Sequence, residues 1–397
     1  MAQGLPFEIW GRISLIGAPL DASGGCAGPI RGFDTVYALK NLRQVYRRRK
    51  ELSMPVVIAA ASTNSPQFAV IEFTNAPTRT VMVSASSVGN VVDCYGKLAV
   101  AGDFAGRTVT LFDIGNPTAP TRLGSVDTGL ASVTAISIDG SHVLAGGATR
   151  ESEAQLVLVS ISNAASPSVV SVFSDTGTAN ISGVVIRGAH AVAFGTDEYL
   201  VMDYKKPASP SGAGYPTGAS QRDLTGRMFG DFNGTNAVVT SEPNSVTGEF
   251  PKIYVLSIAQ GAASQLAALP SEGTLSSLAI AEIPQTGGYY VTTAQLGGQF
   301  SIQALMMHPS GSSTFPVPHL KESNTAVAVK FLNNPAMAPL LAVANVTTKR
   351  GFFITSNFLL PESDGHTTTI QIGKPIPEAH VTLAPTLNPT LGITGWD

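Results

Sequence analysis

Charge is scarce in this 397-residue chain: Asp, Glu, Lys and Arg make up 13% of it, about half the usual share. A disordered polypeptide is charged and poor in aliphatic residues, so low charge beside 44% hydrophobic residues excludes one. Cysteine is almost absent. Cys26 and Cys94 make neither a disulfide framework nor a zinc site; two reduced thiols are expected, with a single bridge left open. No apolar run approaches the ~18 residues of a membrane span. The opening MAQGLPFEIWGRISLIGAPL lacks a basic start followed by an apolar core of about 7–15 residues. The expectation is a soluble protein without a secretory signal, virion-associated or cytoplasmic, with surface display by another route open. The glycosylation patterns at Asn180, Asn233 and Asn345 are then chance matches.

Signatures of chemistry are missing too. There is no HExxH, no Cys/His cluster, no GxSxG, no strand–GxGxxG–helix and no GxxxxGKS. The six histidines are scattered. His142 and His190 stand at equivalent places, each just before a second strand, which reads as a repeat position in a turn, with axial ligands as the other reading. DFNGTN (231–236) has the look of a calcium loop but lacks its terminal glutamate and spacing; a hairpin turn is expected. No cofactor and no metal are expected.

Glycine and proline are abundant, at 40 and 26 residues. They punctuate a phrase that recurs. LFDIGNPTAPTRLGS (111–125) is an apolar run, a polar proline turn and a second extended run. VIEFTNAPTRTVMVS (70–84), VLVSISNAASPSVVSVF (157–173) and YLVMDYKKPASPSG (199–212) repeat it. Pro77, Pro120, Pro167 and Pro210 are spaced 43, 47 and 43 residues apart. Weaker copies at 253–269, 300–317 and 351–372 bring the total to seven. Each is preceded by two shorter runs rich in Val, Ile and Ala, such as VTAISID (133–139) with SHVLAGG (141–147). Four strands per unit of about 40–50 residues is the pattern of a β-propeller. A four-stranded sheet with two apolar faces cannot bury both alone; a copy on either side buries them, and a closed ring leaves no end exposed. The expected fold is all-β, a seven-bladed β-propeller of four-stranded blades over 54–377.

The unit VVDCYGKLAVAGDFAGRTVTLFDIGNPTAPTRLGSVDT (91–128) resembles the LVIVD-repeat β-propellers in its glycine turn, its two apolar strands, its NPxxP phrase and its closing GS strand. The resemblance covers about 54–215 and is weak afterwards. It implies a propeller that is mostly non-enzymatic and often associated with cell surfaces, and it brings no catalytic residues.

Two segments stand outside the repeat. Residues 1–53 read as an extended arm followed by a helix over 33–52, in which Phe33, Val36, Leu39 and Leu42 share a face. Lys40, Arg43, Arg47, Arg48, Arg49 and Lys50 make it basic. Residues 1–52 hold eight Lys/Arg against four Asp/Glu, whereas the remainder holds 16 against 23. The helix either plugs one mouth of the propeller or docks a partner; a strip for nucleic acid or a membrane surface is the weakest reading. The tail, 378–397, is apolar and proline-broken, and either lends a strand to a terminal blade or extends to a neighbour.

These features point to a non-catalytic interaction or structural protein, not an enzyme: a component of a larger assembly such as a phage virion or tail-like particle. Its expected partners are other proteins of that assembly, with a host-surface receptor or glycan as a further one. The first alternative is a bacterial cell-surface adhesin-like propeller. The second is a metal-dependent lactonase or other hydrolase with its site in the axial funnel.

Overall fold

The computed structural model describes residues 91–332, with short interruptions in the connections, and the strands at 56–61, 67–73, 79–84, 341–345, 351–355, 358–361, 367–370 and 390–395. The chain divides into two compact units, Met1–Tyr46 and Arg47–Asp397. The helix expected over 33–52 and all of its candidate docking residues lie outside the described residues. Among the described residues every regular element is a strand.

The strands fall into antiparallel sheets in chain order. The first holds β1 (Val56–Ala61), β2 (Gln67–Phe73) and β3 (Arg79–Ser84). The second holds β4 (Val91–Tyr95), β5 (Leu98–Gly102), β6 (Thr108–Asp113) and β7 (Thr121–Asp127). The third holds β8 (Ser132–Asp139), β9 (His142–Ala148), β10 (Ala154–Ser160) and β11 (Ser168–Phe173). The fourth holds β12 (Ile181–Arg187), β13 (His190–Gly195), β14 (Glu198–Asp203) and β15 (Ser211–Pro216). The fifth holds β16 (Met228–Phe232), β17 (Asn236–Ser241), β18 (Ile253–Ala259) and β19 (Ala262–Leu269). The sixth holds β20 (Thr274–Ile283), β21 (Gly288–Leu296), β22 (Ile302–Met307) and β23 (Thr314–Leu320). A three-stranded sheet of β24 (Ala326–Phe331), β25 (Leu341–Asn345) and β26 (Gly351–Thr355) follows, then a hairpin of β27 (Phe358–Pro361) and β28 (Thr367–Ile370). The last strand, β29 (Thr390–Gly395), returns to pair with β1, so the first sheet is also four-stranded, in the order β29-β1-β2-β3.

The first strands of successive sheets pack on one another: β4 on β8, β8 on β12, β12 on β16, β16 on β20, β20 on β24, β24 on β29 and β29 on β4. This is a β-propeller-like repeat. One apolar cluster fills each described gap between sheets. Val100, Leu111 and Val157 meet between the second and third sheets, Leu144, Leu158 and Leu200 between the third and fourth, and Val192, Phe194 and Leu256 between the fourth and fifth. The second strands are covered on both sides, so β5 and β9 are buried almost throughout and read as LAVAG and HVLAGGA rather than as alternating patterns. The fourth strands β7 and β11 are largely exposed.

Small residues in the second strands have a specific cause. A Cβ on Gly102 would lie 2.6 Å from Val133 Cγ1, and one on Gly146 would lie 2.5 Å from Ile181 Cγ2. Each glycine lets the first strand of the next sheet close against it.

The repeated phrase is the connection between third and fourth strands. Asp113 Oδ1 accepts the N–H of Gly115 at 2.7 Å, and Asp203 Oδ1 that of Lys205 at 2.8 Å. A turn bond follows, from the N–H of Ala119 to the carbonyl of Asn116 and from that of Ser166 to Asn163. Pro120, Pro167 and Pro210 then stand immediately before β7, β11 and β15, where a residue without an N–H costs no turn bond. A second bond recurs beyond the part where the phrase is clear. The N–H groups of Ile114, Ile161, Tyr204 and Ile258, just past or near the end of each third strand, donate to Lys97, Ser141, Ala189 and Thr235 in the turn between first and second strands.

Candidate functional site

A first strand has a partner strand on one side only, so half of its backbone donors face the interior of the ring without a ladder. Buried N–H and C=O groups need partners. Here polar side chains of the preceding first strand supply them. Asp93 Oδ2 accepts from the N–H of Ile138 and the hydroxyl of Ser137, both at 3.1 Å. Ser137 Oγ accepts from the N–H of Ile186 at 3.3 Å. Thr134 and Ser182 donate to the carbonyls of Ile181 and Met228. Asp231 Oδ2 accepts from the N–H of Ile280 at 3.1 Å, and Ser277 Oγ from that of Val329 at 3.3 Å. Among the described residues a repeating hydrogen-bond clamp therefore ties each first strand to the next from β4 through β24.

Asp93, Ser137 and Asp231 hold the same register place, opposite Val100, Leu144 and Val238 of their second strands. Asp231 differs in its other oxygen. Oδ1 lies 3.4 Å from Lys330 Nζ, with side-chain exposures of 6% and 16%. The lysine is on β24, and β20 lies between it and β16 in the packing order. To meet, the two side chains reach past β20, toward the space that the first strands surround. Burying two charges carries a desolvation cost that only close pairing and added hydrogen bonds offset. Chemically, the pair offers a carboxylate held at one oxygen by an amide, and an ammonium beside the other oxygen.

The sequence-based docking residues, Phe33 through Lys50, cannot be placed relative to this pair, since they lie outside the described residues. DFNGTN is a hairpin turn as expected: Asn233 Oδ1 accepts from the N–H groups of Thr235 and Asn236, at 3.0 and 2.8 Å. His142 and His190, expected in turns just before the second strands, are the first residues of β9 and β13 themselves. Sequence reasoning passed over Asp93 and Lys330, and met Asp231 only as the first residue of the DFNGTN turn. Their signal was a single charge inside an otherwise apolar first strand, in VVDCY, MFGDF and AVAVKF. Among the described residues no group of three His, Cys, Asp or Glu could hold a metal ion, and no helix is long and apolar enough to cross a membrane.

No family model and no curated protein matches the sequence. Solved structures do match. A periplasmic gluconolactonase of Pseudomonas aeruginosa aligns with a TM-score of 0.56 at 15% identity, over 86% of this chain and 98% of its own. A putative 6-phosphogluconolactonase of Bacteroides uniformis aligns with a TM-score of 0.57 at 13% identity, over 85% and 99%. One from Bacteroides fragilis gives 0.55 at 12%, over 87% and 98%. At such identities the likeness shows the fold. It also corrects the expectation of a non-catalytic assembly component that is no enzyme, because propellers matched over nearly their whole length carry lactonase names. Nothing in these matches supports the virion or adhesin readings. The expectation failed for a physical reason: a propeller site is assembled from several sheets, so a missing linear motif does not argue against chemistry.

Proposed function

We propose that this chain is a lactonase-type hydrolase on a seven-bladed propeller, with Asp231 and Lys330 as its reacting groups. Each sheet is one blade, with β24–β26 the seventh, and the tail closes the ring through β29. The succession of first strands, which runs from β4 round to β29 and back to β4, supports this count. So does the pairing of β29 with β1, the first blade's own strand.

The observation that carries the function is the buried Asp231–Lys330 pair on two first strands that are not neighbours. A lactone carbonyl placed against it would meet both groups needed for ring opening. Asp231 takes a proton from water as the water oxygen adds to the carbonyl carbon. The Lys330 ammonium stands against the oxyanion that forms. The ring C–O bond then breaks, and the departing alkoxide takes the proton from Asp231, leaving the hydroxy acid. The Ile280 amide fixes one carboxylate oxygen and so leaves the other for this exchange. The metal of the metal-dependent alternative has no part in these steps.

The test is acid release from a panel of γ- and δ-aldonolactones by the purified chain. Turnover above spontaneous opening is expected, with a loss of about 100-fold or more in Asp231→Asn. A folded wild-type chain that accelerates no lactone on the panel would overturn the reading.

A further inference from the structure

At the turn end of the fourth sheet, three charged or titratable residues form a row across strands. Arg187 pairs with His190, and His190 pairs with Asp203. Directly opposed residues of antiparallel strands share a face. It is the face toward the fifth sheet, since Val185, Val192 and Val201, the next residues of the same parity, belong to the cluster between those sheets. Two turns of the fifth sheet come down on the row. A Cβ on Gly234 would lie 3.6 Å from Arg187 Cβ, and one on Gly261 would lie 3.4 Å from Asp203 Cβ. The second turn runs through two left-handed residues, Gln260 at φ 53° and Gly261 at φ 76°.

The row is short of acceptors. Arg187 Nη1 donates to the carbonyl of Ile186 at 2.7 Å, but Arg187 Nε is buried with no partner. His190 Nε2 is also buried with no partner, and it stays 4.0 Å from Asp203 Oδ2, outside hydrogen-bond reach. Asp203 is engaged elsewhere. Its Oδ1 takes the N–H of Lys205 and its Oδ2 lies 3.4 Å from Lys205 Nζ, which holds its carboxyl below the usual range. The corresponding turns contrast with this one. Tyr95 faces Leu98, and Asn233 lies across from Asn236, its own bonds closed within the turn. In the third sheet His142, opposite Asp139, has Ser141 Oγ within 3.2 Å of its Nδ1. Only here, among these four turns, do an arginine and a histidine face each other, each with a buried side-chain nitrogen that has no hydrogen-bond partner.

We infer that this row binds a small tetrahedral oxyanion: free phosphate or the phosphoryl group of a larger ligand. The oxyanion accepts from Arg187 Nε and from His190 Nε2 in its protonated-nitrogen form, with Lys205, the exposed end of the row, as the steering charge. Buried donors left without acceptors cost free energy that an anion would recover, and an arginine edge suits an oxyanion. The site is separate from the Asp231–Lys330 pair and does not depend on the lactonase reading.

Titration of the intact protein with inorganic phosphate at constant ionic strength, followed by calorimetry, tests it. Saturable binding is expected, weakened about tenfold or more in Arg187→Ala, because a charge-assisted hydrogen bond is lost. Arg187→Lys keeps the charge without the planar fork and should fall between the two. Should Arg187→Ala fail to fold, the lysine variant decides: wild-type affinity in it overturns the proposal. Glucose 6-phosphate separates the sources. Tighter binding than inorganic phosphate identifies a ligand phosphoryl group, equal binding identifies the free ion, and binding of neither overturns the site. Arg187→Ala should open an uncharged lactone at the wild-type rate, so a failure here is distinguishable from a failure of the hydrolase.

Discussion

Two aspartates occupy one register place in two sheets and have different surroundings. Asp93, on β4, is filled by neutral donors: the amide of Cys94 at 2.9 Å, the amide of Ile138 and the Ser137 hydroxyl. Asp231, on β16, has the amide of Ile280 and the ammonium of Lys330. Both fasten the following first strand. Only Asp231 adds a cation, and through it a partner two sheets away. The difference teaches that the clamp is the ordinary duty of a polar residue at this place, and that at Asp231 a charged donor stands where Asp93 has only neutral ones.

The sharpest way to break the comparison is to neutralise each carboxylate in turn. Asp231→Asn should cost lactone turnover about 100-fold or more, while Asp93→Asn should leave the rate per folded molecule near wild type. Both changes should cost stability, Asp231→Asn because it leaves the Lys330 ammonium half-buried without its carboxylate. Asp93→Asn places an amide NH2 among three donors and should cost about 3 kcal/mol in chemical unfolding. Equal loss of turnover in both variants would erase the distinction. Next in size is the lysine. Lys330→Met leaves Asp231 buried without its cation and should cost about 3–5 kcal/mol; the double variant Asp231→Leu/Lys330→Met should regain most of that stability yet stay inactive. A double variant as unstable as the single one would mean that the pair is held for packing, not charge.

The repeat was open to reading because its marks are local. A proline directly before β7, β11 and β15, an Asp or Ser closing the third strand and a glycine between first and second strands all lie within one unit. The clamps were not, because each joins residues one repeat apart. Asp93 and Ile138 are 45 residues apart, Ser137 and Ile186 are 49, and Ser277 and Val329 are 52. Asp231 and Lys330 are 99 apart, which is two repeats. A lone Asp in an apolar strand signals a buried partner but not which sheet supplies it; that requires the order of the ring. The basic segment over 33–52 drew attention because its charges are contiguous. A buried pair contributes one residue to each of two distant segments and leaves no such run.

The close approach of sheets separates the regions in a milder way. Gly146→Ala would push a methyl to within 2.5 Å of Ile181 Cγ2, and Gly102→Ala likewise crowds Val133. Each should cost about 1–3 kcal/mol as the next first strand is forced outward. Gly146→Ala carries the more informative result. Ile181 begins β12, which lies between the sheet of the Asp93 clamp and the sheet of Asp231. If the ring transmits that shift, turnover falls along with stability; if each clamp holds its own pair of strands, stability alone falls. The second outcome is expected, because Ser182 and Ser137 tie β12 independently to β16 and β8. The smallest effect belongs to the outer turns. Asp203 has its carboxyl pKa lowered first by the Lys205 amide and then by the Lys205 charge, against some desolvation. A carboxyl whose folded pKa is depressed adds stability above its unfolded value near 3.9 and loses it as the pH falls through the folded one. Asp203→Asn should therefore narrow the stability gap to wild type between neutral pH and pH 2, measured by the urea midpoint, and leave turnover unchanged. A gap that does not close in acid would assign the effect of Asp203 to the turn bond it shares with Asp113 rather than to its charge.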